Sequence, residues 1–288
     1  MAQPPKVTRR VIDGHSHIGE MAAFQFYDLK EPVKPTVYEF ADRDTYLGHL
    51  DSVGAERGLV ISNYGIPVQE QPFSLNEVVL DAVSGSDRLA GALWVSFLPQ
   101  NSEMTLSALE LAGEERVVAL KTTFLLGGNP NPEEWDDETR AVAEACFDAA
   151  EQHDLVFHFH TSPGGASDIN NFRPLIEAYG KRIKMHLVHF GGGASGHIKL
   201  VPQFLDWVEE GYKLYADTTW AVGFGARWLL AEIEQRGVGE DRVLFASDEP
   251  WSDFWSEYWK IEGANVCGSE LKERIFHQNF EDLYGHKW

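Results

Sequence analysis

The sequence is poor in cysteine, in basic charge and in long apolar runs, and each scarcity excludes something. Its 288 residues include two cysteines, Cys146 and Cys267. They make no disulfide framework and no Cys-x-x-Cys metal pair, which points to a reducing, cytoplasmic setting. Lysine and arginine number 24 against 45 aspartates and glutamates, for a net charge of −21. A surface of that sign suits neither nucleic acid nor an anionic membrane. A carboxylated substrate would need local positive charge, which a bound metal can supply. No run approaches the ~20 apolar residues of a membrane span. The opening Met1-Ala2-Gln3-Pro4-Pro5-Lys6 lacks the apolar core of a signal peptide. Internal repeats, low-complexity runs and linker-like stretches are missing as well, which argues for one domain over 1–288.

What is present is a series of short apolar runs. The first, at Val11–Gly19, is followed by runs at 58–62, 90–97, 117–122, 155–160, 183–189, 212–217 and 242–247. Helical spacing fills the gaps. Leu75, Val78, Val79 and Ala82 follow i, i+3, i+4, i+7, with Ser74 and Glu77 as a capping box. The same spacing recurs at 201–208 and 226–233, and an acidic start favours a helix over 137–153. Eight β–α alternations in under 300 residues predict an α/β fold, a single distorted (β/α)8 TIM barrel with its site at the C-terminal ends of the strands. A doubly wound open sheet would announce itself by a glycine-rich turn after strand one. Here that turn holds histidines. Two long loops, 24–40 and 124–136, would leave the same face of the barrel.

His15 and His17, two residues apart, share one face of a strand and lie about 6.5 Å apart along it. Two imidazoles can therefore converge on one metal ion. The other predicted strand ends carry Lys121, His160, His189, Asp217 and Asp248. Groups of this kind are poor core residues without buried partners, so their concentration at one end of a barrel marks a site. His158 shares a face with His160 but lies deeper, in a second layer. His186, three residues before His189, is expected to face the helices. His189 precedes Gly191-Gly192-Gly193, where bare backbone could approach a substrate. Asp248 can bind a metal with one oxygen and take a proton with the other; its bland alternative is a helix N-cap. A buried salt bridge, to Asp217, is the structural alternative for Lys121. Trp220 and the cluster Trp251, Phe254, Trp255, Tyr258 and Trp259 could line a pocket for a planar substrate. Packing or a homodimer interface stands slightly ahead as their role.

The motifs Ile12-Asp13-Gly14-His15-Ser16-His17, Phe157-His158-Phe159-His160, Val188-His189-Phe190-Gly191 and Phe245-Ala246-Ser247-Asp248-Glu249-Pro250 resemble the amidohydrolase superfamily. Within it they resemble the amidohydrolase 2 branch, which includes the aminocarboxymuconate-semialdehyde and resorcylate decarboxylases and several lactonases. The resemblance spans essentially the whole chain. It implies one divalent metal, zinc first and manganese as the alternative, held by His15, His17, His160 and Asp248. His189 would stand just outside the ligands, placed to move a proton, and Lys121 would bind substrate rather than bridge a second metal as a carbamate. The reaction so implied is hydrolysis, metal-activated water attacking a C–N or C–O bond of a small carboxylated or cyclic substrate. Nonoxidative decarboxylation of an unsaturated or aromatic acid is the alternative, and a metal-binding barrel without catalysis is the non-enzymatic one.

Overall fold

The computed structural model describes residues 6–19, 42–63, 76–125 and 127–288. Eight parallel strands follow one another around a single sheet. They are β1 (Ile12–Ile18), β2 (Arg57–Ser62), β3 (Leu89–Trp94), β4 (Val117–Thr122), β5 (Val156–His160), β6 (Lys184–Val188), β7 (Leu214–Asp217) and β8 (Val243–Leu244). Helices α1 (Arg43–Val53), α2 (Asn76–Ser84), α3 (Ser102–Glu110), α4 (Asp137–Gln152), α5 (Ile169–Tyr179), α6 (Gly193–Glu209), α7 (Gly223–Arg236) and α8 (Phe254–Glu262) each follow a strand. This is the expected (β/α)8 barrel. The aromatic loop expected at 24–40 lies outside the described residues, as does Ser74 of the expected capping box.

The distortion sits where the barrel closes. β8 has two residues, too few to pair with β1 as a regular ladder. Three backbone hydrogen bonds do the joining instead: Gly14 N to Phe245 O at 2.9 Å, Asp248 N to His15 O at 2.8 Å and His17 N to Glu249 O at 2.6 Å. The register of β1 against β2 shifts between Asp13 and Ser16, so β1 carries a bulge there. An extra residue reverses the side-chain alternation. Ile12 therefore points into the barrel, Asp13 points out, and His15 and His17 point in. Gly14 is the residue that permits it. A Cβ at this position would sit 2.8 Å from the Phe245 carbonyl oxygen.

Outside the seam, the buried Asp13 carboxylate accepts hydrogen bonds from Ser247 N at 2.8 Å and Ser247 Oγ at 2.5 Å. That clamp ties the bulge to the residue next to Asp248. Inside, small side chains on β3 and β4, Ala90, Ala92 and Ala119, leave room at the barrel's lower end. The terminal helix α10 (Asn279–Tyr284), after the short α9 (Ser269–Glu273), fills that space with Phe280, Leu283 and Tyr284. A second apolar layer lies between barrel and helices, where the inward stripes of α4 to α8 meet the outward faces of the strands.

Gly14→Ala should shift β1 against β8 and destabilise the protein by about 1–3 kcal/mol, the usual range for an overpacked site. Chemical denaturation of wild type and variant measures it. An unchanged midpoint would remove the close approach from the account.

Candidate metal centre and active site

The bulge and the seam bring three ligating atoms together. His15 Nε2 and His17 Nε2 are 3.2 Å apart, and each lies 3.2 Å from Asp248 Oδ1. All three residues are buried. Asp248 Oδ1 has no hydrogen-bond partner among the described residues. Donors at about 2.0–2.1 Å around a tetrahedral ion would be ~3.4 Å from each other. Two neutral imidazoles and a carboxylate with mutually facing lone pairs fit a divalent cation and little else.

Asp248 is held from several sides. Its amide donates to His15 O, its carbonyl accepts from Trp251 N and Ser252 N, and Oδ2 accepts the Trp220 indole N–H at 2.5 Å. Burial alone would push its carboxyl up. His189, His17 and the Trp220 bond overcome that and pull it down to about 2. The N-cap alternative does not apply, because Asp253 caps α8 through Ser256 N.

His160, at the end of β5, lies outside the trio, its ring edge-on to His189 at 4.7 Å between centroids. Burial and then Lys121 lower its imidazole to about 3. His189 follows β6, and its Nδ1 is 2.6 Å from Thr219 Oγ1. Lys121 is 1% exposed, and its Nζ finds no hydrogen-bond partner among the described residues. The expected salt bridge to Asp217 is therefore not formed. Burial lowers this ammonium to about 8, with Asp248 and Asp217 acting the other way.

Beneath the trio lies a layer of inward-pointing polar residues. His158 stacks on His15 at 5.9 Å and meets His186 at 4.4 Å between centroids. Its Nε2 is 2.7 Å from the Tyr284 hydroxyl of the α10 plug. His186 corrects the expectation that it faces the helices: its Nε2 meets Asp217 Oδ2 at 2.9 Å inside the barrel. Alternation applied across His186 and His189 fails because β6 ends at Val188, and His189 enters a turn with φ of 70°. The glycines after it are also required by their own packing. Gly191 abuts Gly196, and Gly192 and Gly193 abut Pro163, with positive φ at all three.

Four non-glycine residues with positive φ stand after three successive strands: His189 and Phe190 after β6, Trp220 at 57° after β7 and Asp248 at 55° after β8. Such backbone costs of order 1–3 kcal/mol per residue and clusters at functional sites. Trp251 stands at the mouth with its ring edge-on to His17 at 6.4 Å and its Nε1 on Asn63 Oδ1 at 3.2 Å. Trp220 is half exposed. Phe254 and Tyr258 instead belong to the core under the helices, and Trp259 faces solvent.

A family model described as amidohydrolase matches residues 12–286. The chain belongs to the amidohydrolase family. It is thus an enzyme of the metal-dependent hydrolase type, and the buried trio is a group of residues that could hold a metal ion. No curated protein matches it. Among solved structures, a probable 2-pyrone-4,6-dicarboxylic acid hydrolase from Acinetobacter baumannii, with citric acid bound, superposes with TM-score 0.63 at 13% identity, covering 96% of this chain and 99% of that one. The Metarhizium anisopliae IDCase does so with TM-score 0.63 at 15% identity, over 96% and 97%. The 4-oxalomesaconate hydratase of Rhodopseudomonas palustris gives 0.63 at 15% identity, over 96% and 95%. At these identities the likeness concerns the fold of this amidohydrolase.

Sequence reasoning did not single out Asp13, Thr219 or Tyr284. Gly14 inside a strand was the available sign of a bulge, and hence of an outward Asp13. Nothing local marks a residue on the terminal helix as reaching His158.

The buried imidazoles set the acid limit of the metal-free protein. His15, His158, His160 and His189 all sit below the ordinary value of 6.5, chiefly through burial. The unfolded chain takes up their protons first, so the stability they support is full above about pH 6.5 and is lost as pH falls. Asp13 and Glu257, both pushed up to about 7 by burial, act in the opposite sense but are fewer. The urea midpoint of metal-free protein should fall between about pH 7.5 and about pH 5.5, each net proton adding roughly 1.4 kcal/mol per pH unit. A flat or rising midpoint would contradict the neutral, buried state of these rings.

Proposed function

We propose that this amidohydrolase cleaves a C–N or C–O bond, in an amide, ester or lactone, of a small carboxylated or cyclic substrate. The ion is zinc in first place, with manganese as the alternative. His15, His17 and Asp248 hold it, and His160, near enough for its charge state to couple to His17 and Asp248, is the fourth donor. The observation that carries this reading is the buried triangle of donor atoms, with the Lys121 ammonium in the layer beneath it and no hydrogen-bond partner for that ammonium among the described residues. When bound, such an ion lowers the pKa of water towards ~7 and polarises a carbonyl.

The chain's own residues supply the rest. Lys121 Nζ has three donors and no acceptor, so a substrate carboxylate would satisfy it. Trp220, beside His189 and Asp248, and Trp251, beside His17, would exclude water from a planar ligand. Trp220 also orients Asp248 by donating to Oδ2, the oxygen turned away from the two histidines. Asp248 is the first acceptor of the attacking water's proton, and His189 moves a proton towards the leaving group.

The second reading is nonoxidative decarboxylation of an unsaturated or aromatic acid. The flanking tryptophans and Lys121 suit that substrate equally well. A homodimer is supported by exposed Val222, Phe224 and Trp259, and a reducing cytoplasmic setting by the two unpaired cysteines.

Turnover of a panel of lactones, esters, amides and unsaturated acids in 18O-labelled water separates the readings. Hydrolysis places 18O in the acid product; release of CO2 without it would establish the decarboxylase. With the substrate so found, Asp248→Asn should fold and lose turnover. Lys121→Met should raise KM about tenfold or more, the worth of a charge-assisted hydrogen bond, with a smaller effect on kcat. An active Asp248→Asn enzyme, or an unchanged KM, would refute the corresponding role.

A further inference from the structure

We propose that Asp217 and Thr219 are positioning residues for His189, holding its proton on Nδ1 and leaving Nε2 as a bare acceptor. Asp217 ends β7 and is fully buried. Its Oδ1 receives two backbone amides, His189 N at 3.1 Å and Thr219 N at 3.0 Å. Two N–H groups aimed at one oxygen make that oxygen an acceptor, whatever happens at Oδ2. Thr219 Oγ1 lies 2.5 Å from the same oxygen, so the hydroxyl donates to it. A hydroxyl has one hydrogen. Thr219 therefore has only lone pairs left for His189 Nδ1, 2.6 Å away, and Nδ1 must carry the hydrogen of that bond. A neutral imidazole with its hydrogen on Nδ1 has none on Nε2.

His186 Nε2 occupies the other Asp217 oxygen at 2.9 Å, so the carboxylate cannot swing away from Thr219 without leaving a buried imidazole unpaired. The same Asp217 oxygen also supports the left-handed backbone at His189 through its amide. Backbone conformation and tautomer are thus set by one carboxylate.

The chemical consequence rests on the hydrolytic reading. His189 starts as an acceptor: it takes over the proton that Asp248 first accepts, and only then can it donate one to a leaving group. It cannot open the reaction by donating a hydrogen bond to a carbonyl.

The test uses the full chain with zinc added, labelled with 15N-histidine, and two-bond 1H–15N correlation spectra without substrate. His189 is assigned by the signals lost in His189→Gln. The expected pattern has a protonated Nδ1 and an unprotonated Nε2. Thr219→Ser keeps the hydroxyl and should keep the pattern. Thr219→Val keeps the shape and loses the hydroxyl, and should move the proton wholly or partly to Nε2. A wild-type proton on Nε2, or a folded Thr219→Val with the wild-type pattern, would overturn the proposal. If Thr219→Val does not fold, the wild-type and Thr219→Ser spectra decide it. Because no turnover is read, failure of the hydrolytic reading would leave this result intact, and the reverse also holds.

Discussion

Three backbone hydrogen bonds across the β1–β8 seam carry the site. Gly14, His15 and His17 on one side meet Phe245, Asp248 and Glu249 on the other. The third trio member is the residue whose amide reaches the His15 carbonyl, so barrel closure and assembly of the donor triangle are one event. β8 is too short to close the barrel as a ladder, and the seam compensates with a bulge, a glycine in contact with a carbonyl, and the Asp13 clamp on Ser247. In a regular barrel of unbulged strands Asp13 would share the face of the histidines and place a second carboxylate beside them. The bulge removes it to the outside, where it has hydrogen-bond donors.

The barrel interior changes character along its axis. At the bottom, alanines admit the aromatic side chains of α10. In the middle, Lys121, His158 and His186 form a polar layer supported by Tyr284 below and Asp217 beside it. At the top stand the donor triangle and the strained residues after β6, β7 and β8. Burial is what gives this gradient its chemistry: it keeps the imidazoles neutral, as ligands must be, and leaves Lys121 without a hydrogen-bond partner among the described residues. An acidic protein thereby keeps one positive group where an anionic substrate would need it.

Much of this was legible in the sequence because strand ends are chemically conspicuous. The β–α alternation and the 137–153 helix appear nearly as expected, and His15, His17 and Asp248 do converge. What was not legible depends on departures from regular geometry or on distant packing. Alternation predicts an outward His186, but β6 stops before His189, so both rings point inward. The triple glycine suggests substrate approach, and the close packing of Gly196 and Pro163 against it is a second reason for glycine that the sequence does not show. Tyr284 sits in an ordinary amphipathic terminal helix, and only the alanines of β3 and β4, far away in the chain, make room for it. For Phe254 and Tyr258 the packing role that stands ahead in the sequence is the one observed, because α8 turns both to the core.

The most direct measurement is metal content per chain, for protein dialysed against zinc and then against buffer, compared between wild type and His15→Ala/His17→Ala. Circular dichroism serves as the control for folding. About one ion per chain in the wild type, lost from a folded double variant, is the predicted result. A wild type that retains no ion, or a double variant that retains as much, would contradict the assignment of the triangle as the metal centre.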